Sequence, residues 1–261
     1  MRRIVAVVLI LSAFAAAAQA QIKIGNRTIN VKKAVQAASD VANAITLSDE
    51  DIASTSHGSV VWMDEHNPVD TLEYDARLKR LTAGIDQVNG LPLNFKVYYV
   101  SDVNAFACGD GSIRVFSALM DMMDDDELMA IIGHEIGHVV NHDVKDAMKN
   151  AYVASAALNA AGAAGGKIAQ LSESQLGELT SAFVDAQFSQ KQEYEADEYG
   201  FRFCVEHGFS PYGMANGLNK LVELSQGARA SVVQKMFSSH PDSEKRAARM
   251  KAKADEYMAG K

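Results

Sequence analysis

The chain contains little of what marks a disulfide-rich, a nucleic-acid-binding or a multidomain protein. Its 261 residues include two cysteines and four prolines, and 25 basic residues stand against 33 acidic ones, which gives a net charge of −8. An acidic protein without a basic patch binds polyanions poorly, so we expect no nucleic-acid partner. The sequence also lacks a Pro-, Gly- or Ser-rich linker, an internal repeat, and any C-x-x-C pair that would indicate a cysteine metal site.

The first twenty residues are predicted to be a leader that is not part of the fold. Arg2 and Arg3 precede an apolar run over residues 4–18, and Ala18-Gln19-Ala20 has the small-x-small pattern of a signal-peptidase site. The run is shorter than the roughly 20 apolar residues that span a membrane, although an uncleaved anchor is the alternative. We therefore expect cleavage near Ala20, a periplasmic or secreted protein without a transmembrane segment, and no lipid anchor, because no cysteine follows the cleavage site.

The two cysteines, Cys108 and Cys204, lie far apart in the sequence. An exported protein can keep a disulfide. The two thiols could therefore pair with each other, or both could be buried and free.

Hydrophobic periodicity predicts a mostly helical chain with one small sheet. Aromatic and β-branched residues over 93–100 predict a strand, and residues 105–108 and 112–116 predict a hairpin around Gly109-Asp110-Gly111. Asp124 and Glu127 have the spacing of a capping box, so a helix is predicted to begin there and to run through the apolar residues up to Val139. The other predicted helices cover residues 30–45, 48–65, 72–85, 147–164, 173–187, 191–206, 211–225 and 241–258.

The helix that begins at Asp124 carries the candidate catalytic motif, H-E-x-x-H. His134 and His138 are four residues apart, so both imidazoles face the same side and can bind one metal ion. Glu135 is rotated by about 100° from His134, which places its carboxylate beside the metal, where it can take a proton from a bound water. A catalytic zinc site needs a third protein ligand and an open position, so the motif requires another ligand elsewhere in the chain.

Two residues compete for the place of the third ligand. His142 continues the series 134 and 138, but it lies about 12 Å along the helix axis from His134, which is too far for one tetrahedral ion. Glu193 and Asp197 share one face of a later helix, so one carboxylate can bind the metal while the other accepts the free N–H of a ligand histidine. A solvated acidic helix face is the alternative, since Glu195 and Glu198 lie nearby.

Three motifs in this order resemble the HtpX-type and CAAX-prenyl-protease family of zinc metallopeptidases, family forty-eight of the metallopeptidases. They are H-E-x-x-H at 134–138, E-x-x-x-D at 193–197, and H-P-x-x-x-x-R at 240–246. The resemblance spans about residues 70–258 and is greatest to periplasmic members with a soluble domain. It implies one Zn²⁺ per chain bound by His134, His138 and Glu193. It also implies that Glu135 and His240 are catalytic and that Asp197 and Arg246 support the ligands.

The resulting expectation is a zinc metalloendopeptidase with an α+β, mostly helical, zincin-like fold and a small antiparallel or mixed sheet beside the zinc helix. Residues 21–66 are predicted to form an N-terminal helical segment and residues 67–261 the peptidase domain. We expect the substrates to be unfolded or damaged polypeptides, and envelope proteins are candidate partners. A substrate is expected to bind at Asn104, Ala105 and Phe106 by adding to an edge strand. The segment 147–188 is a candidate lid. The oligomeric state stays open.

Two other functions fit part of this sequence. A chaperone-like or adaptor protein with a latent zinc site is the first alternative, although such sites usually lose the glutamate or a ligand. A zinc hydrolase that acts on non-peptide bonds, such as cell-wall links, is the second, and the H-E-x-x-H motif alone does not exclude it.

Overall fold

The computed structural model describes residues 21–24, 27–30, 48–158, 172–227 and 230–261. The predicted leader over residues 1–20 and most of the predicted helix over 30–45 lie outside the described residues. Asn30, the first residue of that predicted helix, ends a strand instead. No helix in the described part of the chain is both long and apolar enough to cross a membrane.

One mixed sheet of four strands forms the β layer. Its strands are β3 (Val69–Asp70), β6 (Asn94–Tyr98), β7 (Ala105–Ala107) and β8 (Ser112–Phe116), in the spatial order β3-β6-β8-β7. Strand β6 runs parallel to β8, whereas β3 and β7 are antiparallel to their neighbours. Strand β7 is therefore an edge strand, and the predicted strand and hairpin are both confirmed.

Four further strands pair outside this sheet. They form two antiparallel pairs, β1 (Gln21–Ile24) with β2 (Arg27–Asn30), and β4 (Gln87–Val88) with β5 (Leu91–Pro92). The first pair lies where the sequence analysis expected only helix in the segment 21–66. Alternation of Ile22 and Ile24 with polar residues is a strand pattern, which explains the difference.

Ten helices are present in the described residues. In chain order they are α1 (Asp49–His66), α2 (Glu73–Leu81), α3 (Ser117–Met122), α4 (Asp125–Val140), α5 (Asp143–Leu158), α6 (Glu173–Val184), α7 (Gln190–Glu206), α8 (Gly213–Ser225), α9 (Ala230–Ser239) and α10 (Ser243–Ala259). Of these helices, α2, α3 and α4 pack on the sheet. The mostly helical α+β fold with a small mixed sheet is confirmed.

Two details of the predicted helices are wrong. The helix predicted over 72–85 ends at Leu81, because Gly84 takes a φ of 83° that breaks the helix. Asn89 and Gly90 have φ values of 50° and 81° and form the turn between β4 and β5, where we had expected only a helix end. Helix α9 was not predicted at all.

Helix α4 occupies the centre of the molecule. It packs on β7 and β8 on one side, on α7 along its length, and on α8. Its start is specified locally, because the Asp124 carboxylate accepts the Glu127 N–H at 2.9 Å and Glu127 accepts the Asp124 N–H at 2.9 Å. The predicted capping box is confirmed, and it sets the register of every side chain that follows on α4.

Helices α4 and α7 approach each other closely because small residues line their contact. A Cβ atom on Gly137 would lie 3.0 Å from the Ala196 Cα, and one on Gly200 would lie 2.9 Å from the Ala130 carbonyl oxygen. Larger side chains at these glycines would push the helices apart. The close contact brings the polar faces of the two helices together in the interior.

Candidate metal centre

Side chains from α4, α7 and the turn before α10 converge at one buried point. His134 and His138 come from α4, Glu193 from α7, and His240 from the turn between α9 and α10. One ligand atom from each of the four lies within 4.8 Å of all the others. The H-E-x-x-H motif and the later glutamate, which stand more than fifty residues apart in the sequence, therefore share one site.

The distances between these atoms suit a small divalent cation. His134 Nε2 lies 3.0 Å from His138 Nε2 and 3.8 Å from Glu193 Oε2, and His138 Nε2 lies 3.5 Å from Glu193 Oε1. Tetrahedral zinc with bonds of about 2.0–2.1 Å separates its ligand atoms by roughly 3.3 Å. Two imidazoles and a carboxylate are also a donor set that zinc accepts. The residues therefore fit a zinc ion.

His240 and Glu135 lie beside the three donors. His240 Nδ1 is 3.0 Å from Glu193 Oε1 and 3.3 Å from His134 Nε2, so it faces the same point. His240 Nε2 lies 3.7 Å from Glu135 Oε1. That Glu135 oxygen is buried and has no hydrogen-bond partner among the described residues. An unpaired buried carboxylate oxygen is costly, and such groups cluster at functional sites.

Each α4 histidine is held from behind by a carboxylate. His134 Nδ1 lies 3.0 Å from Asp197 Oδ1, and His138 Nδ1 lies 2.9 Å from Asp143 Oδ2. A carboxylate in this position fixes the ring so that Nε2 is available for a metal. The predicted position of Asp197 behind a ligand histidine agrees with this geometry.

Arg246, in the first turn of α10, links Glu193 and Asp197 of α7. Its Nε donates to Asp197 Oδ2 at 2.8 Å and its Nη2 donates to Asp197 Oδ1 at 2.6 Å. Its Nη1 forms an ion pair with Glu193 Oε2. The side chains of all three residues are at most 2% exposed.

Charge in this cluster is divided unequally between the two histidines of α4. Burial lowers the pKa of His134, and the charge of His138 lowers it further. Burial acts in the same direction on His138, but hydrogen bonds with Asp143 and Glu193 outweigh it and raise the pKa to about 9. In the metal-free protein the pair therefore prefers to carry its proton on His138.

The Glu193 and Asp197 carboxylates stay ionised. Burial opposes their charge, but electrostatic interaction with His240 and hydrogen bonds from His138 and His240 hold the pKa of Glu193 well below its usual range. Hydrogen bonds from Arg246 lower the pKa of Asp197 to about 2 against the same effect of burial. Both groups are therefore anionic at neutral pH, as binding a cation requires.

The predicted substrate residues lie on and next to the edge strand. Asn104 and Ala105 are buried, and the Phe106 ring contacts Tyr98 and Phe116 at centroid distances of 6.4 and 6.1 Å. The Phe106 side chain therefore belongs to the sheet core. The side chains of β7 are all buried, so only its backbone groups remain as candidates for substrate contact.

Hydrogen-bond alternation shows which backbone groups of β7 face outward. Asn104 accepts the Phe116 N–H and Cys108 donates to the Ser112 carbonyl, so residues 104, 106 and 108 pair with β8. The N–H and C=O groups of Val103, Ala105 and Ala107 point away from β8. The Val103 N–H is already used, because it donates to the Val232 carbonyl of α9 at 3.0 Å.

The remaining sequence candidates lie outside the cluster. His142 is exposed, follows the end of α4 with a φ of 63°, and does not belong to the metal-ligand group. Cys108 and Cys204 are both buried and free, which answers the open question of a disulfide. Burial raises the pKa of both thiols, to about 12 for Cys204.

Sequence reasoning missed two residues of this site. Asp143 lies five positions after His138, and only the reversal of the chain at His142 brings its carboxylate back to the His138 ring. Phe188 stacks on the same ring, with centroids 3.9 Å apart and planes 15° apart. An acid shortly after the motif was a usable signal for Asp143, whereas nothing local marks Phe188.

Comparison with known proteins places this site in a family context. The sequence model of Peptidase family M48 matches residues 72–254 of this chain. The metalloprotease LoiP of Escherichia coli strain K12 is 40% identical over 207 residues, which cover 78% of this chain and 81% of LoiP. The metalloprotease YcaL of the same strain is 35% identical over 236 residues, 89% of this chain and 90% of YcaL. A protease HtpX homolog of Salinibacter ruber is 27% identical over 188 residues, 60% of this chain and 65% of that protein.

Proposed function

Because this chain belongs to peptidase family M48, we propose that it is a zinc endopeptidase that hydrolyses peptide bonds in unfolded or damaged proteins. Family membership makes the chain a metallopeptidase. The identity of the metal, the roles of the residues and the class of substrate are our proposal. The observation that carries it is the convergence of His134, His138 and Glu193 on one buried point with Glu135 beside them.

We assign the metal to three ligands and the chemistry to two further residues. His134, His138 and Glu193 would hold one zinc ion, and a bound zinc ion lowers the pKa of a water ligand towards roughly 7. Glu135 accepts the proton of the attacking water at its unpaired Oε1. The same carboxyl then donates that proton to the departing amine, as a general base that turns into a general acid.

His240 is proposed to act on the scissile carbonyl. Its Nε2 lies 3.7 Å from Glu135 Oε1, so it borders the space where the reacting carbon would lie. A donor in that position stabilises negative charge as it develops on the carbonyl oxygen. Asp197 and Arg246 do not touch this space, and their proposed role is to hold His134 and Glu193 in place.

The proposed substrate class follows from the edge strand. Ala105 and Ala107 turn their backbone groups away from β8 and lie beside α4, but both residues are buried. An extended peptide would add to β7 by backbone hydrogen bonds once the groups that cover this edge have moved. Backbone pairing selects extended chains and reads little of their sequence. Unfolded polypeptides, including damaged envelope proteins, therefore suit this groove, and cleavage of a folded protein at one fixed sequence alone would contradict the proposal.

The proposal includes the location of the protein and the limits of its domains. We propose export with cleavage near Ala20, which makes the protein periplasmic or secreted. Residues 67–261 would form the peptidase domain, preceded by a segment over 21–66. Its helix α1 packs on α5 and α6, which supports a close association of this segment with the domain.

Metal analysis of two variants tests the ligand assignment. Glu193→Ala removes a proposed ligand, whereas Glu195→Ala changes an exposed acid on the same helix. After loading with zinc and desalting, we expect about one zinc per chain in the parent and in Glu195→Ala, and a strong loss in Glu193→Ala. Equal zinc contents in all three proteins would refute the assignment.

A further inference from the structure

Phe188 covers the metal centre on the side of His138. It lies in the short connection between α6 and α7, directly before Ser189, whose side chain caps α7. Its ring stacks on the His138 ring at 3.9 Å and lies 5.4 Å from the His240 ring. Its N–H donates to the Ser239 carbonyl at 3.2 Å, which ties the connection to the residue before His240.

With Phe188 in this position the centre is closed. His138 and Glu193 are 0% exposed, Glu135 is 2% exposed, and His134 and His240 are 4% and 5% exposed. A substrate carbonyl has to reach these groups before any reaction, so at least one covering group must move. Helices α4 and α7 are locked together by close backbone contact, whereas Phe188 is only partly buried on a short connection.

A pocket behind Phe188 offers its ring another place. The pocket has a volume of about 230 Å³ and lies between α5 and the end of α6. Phe188 closes one side, and acidic and amide side chains share the walls with four alanines, which are Ala147, Ala151, Ala182 and Ala186. An apolar cavity of about 150 Å³ accommodates benzene, so a phenyl ring fits here.

We propose that Phe188 is the gate of this metal centre. Its ring lies on His138 in the closed state, and it turns into this pocket to admit an extended polypeptide. Contacts with the four alanines then replace part of the apolar contact that the ring loses on His138. This proposal rests on the metal centre proposed above, and it adds the step that opens that centre.

The rate of zinc loss to a chelator tests the gate without relying on catalysis. Zinc-loaded protein is mixed with excess EDTA, and the zinc that remains bound is measured over time in the Glu135→Gln background. We expect Phe188→Ala to lose zinc at least about tenfold faster than its parent. Phe188→Tyr keeps the ring and should lose zinc at nearly the parental rate. Thermal melting of the apoproteins checks that each variant is folded.

Filling the pocket tests the open position separately. Ala182→Leu and Ala186→Leu place side chains where the Phe188 ring would go, so both should slow zinc loss and lower kcat/KM on casein at least severalfold. Ala118→Leu makes the same change in a different pocket, beside Tyr74 and Tyr99, and should leave both rates unchanged.

One result would overturn the gate, and a different result would overturn the metal centre. A folded Phe188→Ala protein that binds zinc and loses it within twofold of the parental rate would refute the gate. A parent that binds no zinc would refute the metal centre itself.

Discussion

The Arg246 guanidinium and the Asp197 carboxylate form a buried two-point ion pair, with Nε 2.8 Å from Oδ2 and Nη2 2.6 Å from Oδ1. The same carboxylate lies 3.0 Å from His134 Nδ1. A residue on the last helix therefore orients a proposed metal ligand on α4 through an acid on α7. Each of the three sequence motifs contributes one member of this chain of contacts.

This relationship predicts that Arg246→Lys weakens metal binding. Lysine keeps the charge but loses the planar pair of donors, so Asp197 is held less firmly behind His134. Loss of such a supporting contact typically costs about 10- to 100-fold in metal affinity. Competition with a chromogenic zinc chelator measures it. Arg249→Lys, at an exposed pair with Glu198, is the matched control; equal affinities for both variants would contradict the prediction.

His240→Ala separates a catalytic from a metal-binding role of His240. His134, His138 and Glu193 remain in this variant, so we expect zinc to stay bound at about one per chain. Loss of a donor to the developing oxyanion should lower kcat by roughly 100-fold, with a smaller effect on KM. Steady-state assays on casein check this. A rise in activity would instead mean that His240 blocks the open metal position.

A second ion pair, remote from the metal centre, joins the buried Arg114 to the partly buried Asp64 and leads to a prediction about stability. Asp64 on α1 accepts hydrogen bonds from Arg114 at 2.9 and 3.0 Å, and Arg114 is 1% exposed. Asp64→Asn leaves this guanidinium without its counter-charge, and we expect a loss of about 3 kcal/mol in the free energy of unfolding at pH 7. Urea denaturation measures it, with the exposed Glu65→Gln as the control.

The effect of Asp64→Asn should depend on pH. Burial opposes the charge of Asp64, but hydrogen bonds from Arg114, Lys96 and Tyr98 outweigh it and lower the pKa of the carboxyl. A carboxyl with a lowered pKa stabilises the folded state above its unfolded-state pKa of about 3.9, and this contribution is lost as the pH falls through the folded-state pKa. The difference between the parent and Asp64→Asn should therefore shrink below about pH 4. A constant difference down to pH 2 would contradict the assignment.

The elements specified by local signals were predicted well. The Asp124–Glu127 capping box predicts the start of α4, and the Gly109-Asp110-Gly111 turn between two short segments predicts the hairpin of β7 and β8. The spacing of His134, His138, Glu193 and Asp197 also carried over directly, because i and i+4 residues share a face on any helix.

Most of the wrong secondary-structure predictions fall where a turn-forming residue interrupts a hydrophobic pattern of helical period. Ile85 continued a helical pattern, but the left-handed Gly84 ended the helix before it. Asn89-Gly90 is a hairpin-turn signal that was interpreted as the end of a helix. Helix α9 was overlooked although Val232, Val233, Met236 and Phe237 have helical spacing.

The position of Phe188 over His138 could not be predicted from the sequence. Its stacking on His138 depends on how closely the connection between α6 and α7 passes α4, and the two residues are 50 positions apart in the sequence. The same holds for the pocket behind it, whose alanines come from α5, from α6 and from the connection after α6. Tertiary contacts of this kind leave no periodic trace in the chain.

The central claim is that Glu135 is the general base of a zinc peptidase. The most direct test compares the parent with Glu135→Gln, which changes no proposed metal ligand, for bound zinc and for chelator-sensitive cleavage of casein. We predict about one zinc per chain in both proteins, with cleavage at least about 1,000-fold slower in Glu135→Gln. Zinc in both proteins with equal cleavage would contradict the role of Glu135. Zinc in both with no cleavage in either would contradict the peptidase proposal and favour a chaperone-like protein with a latent site.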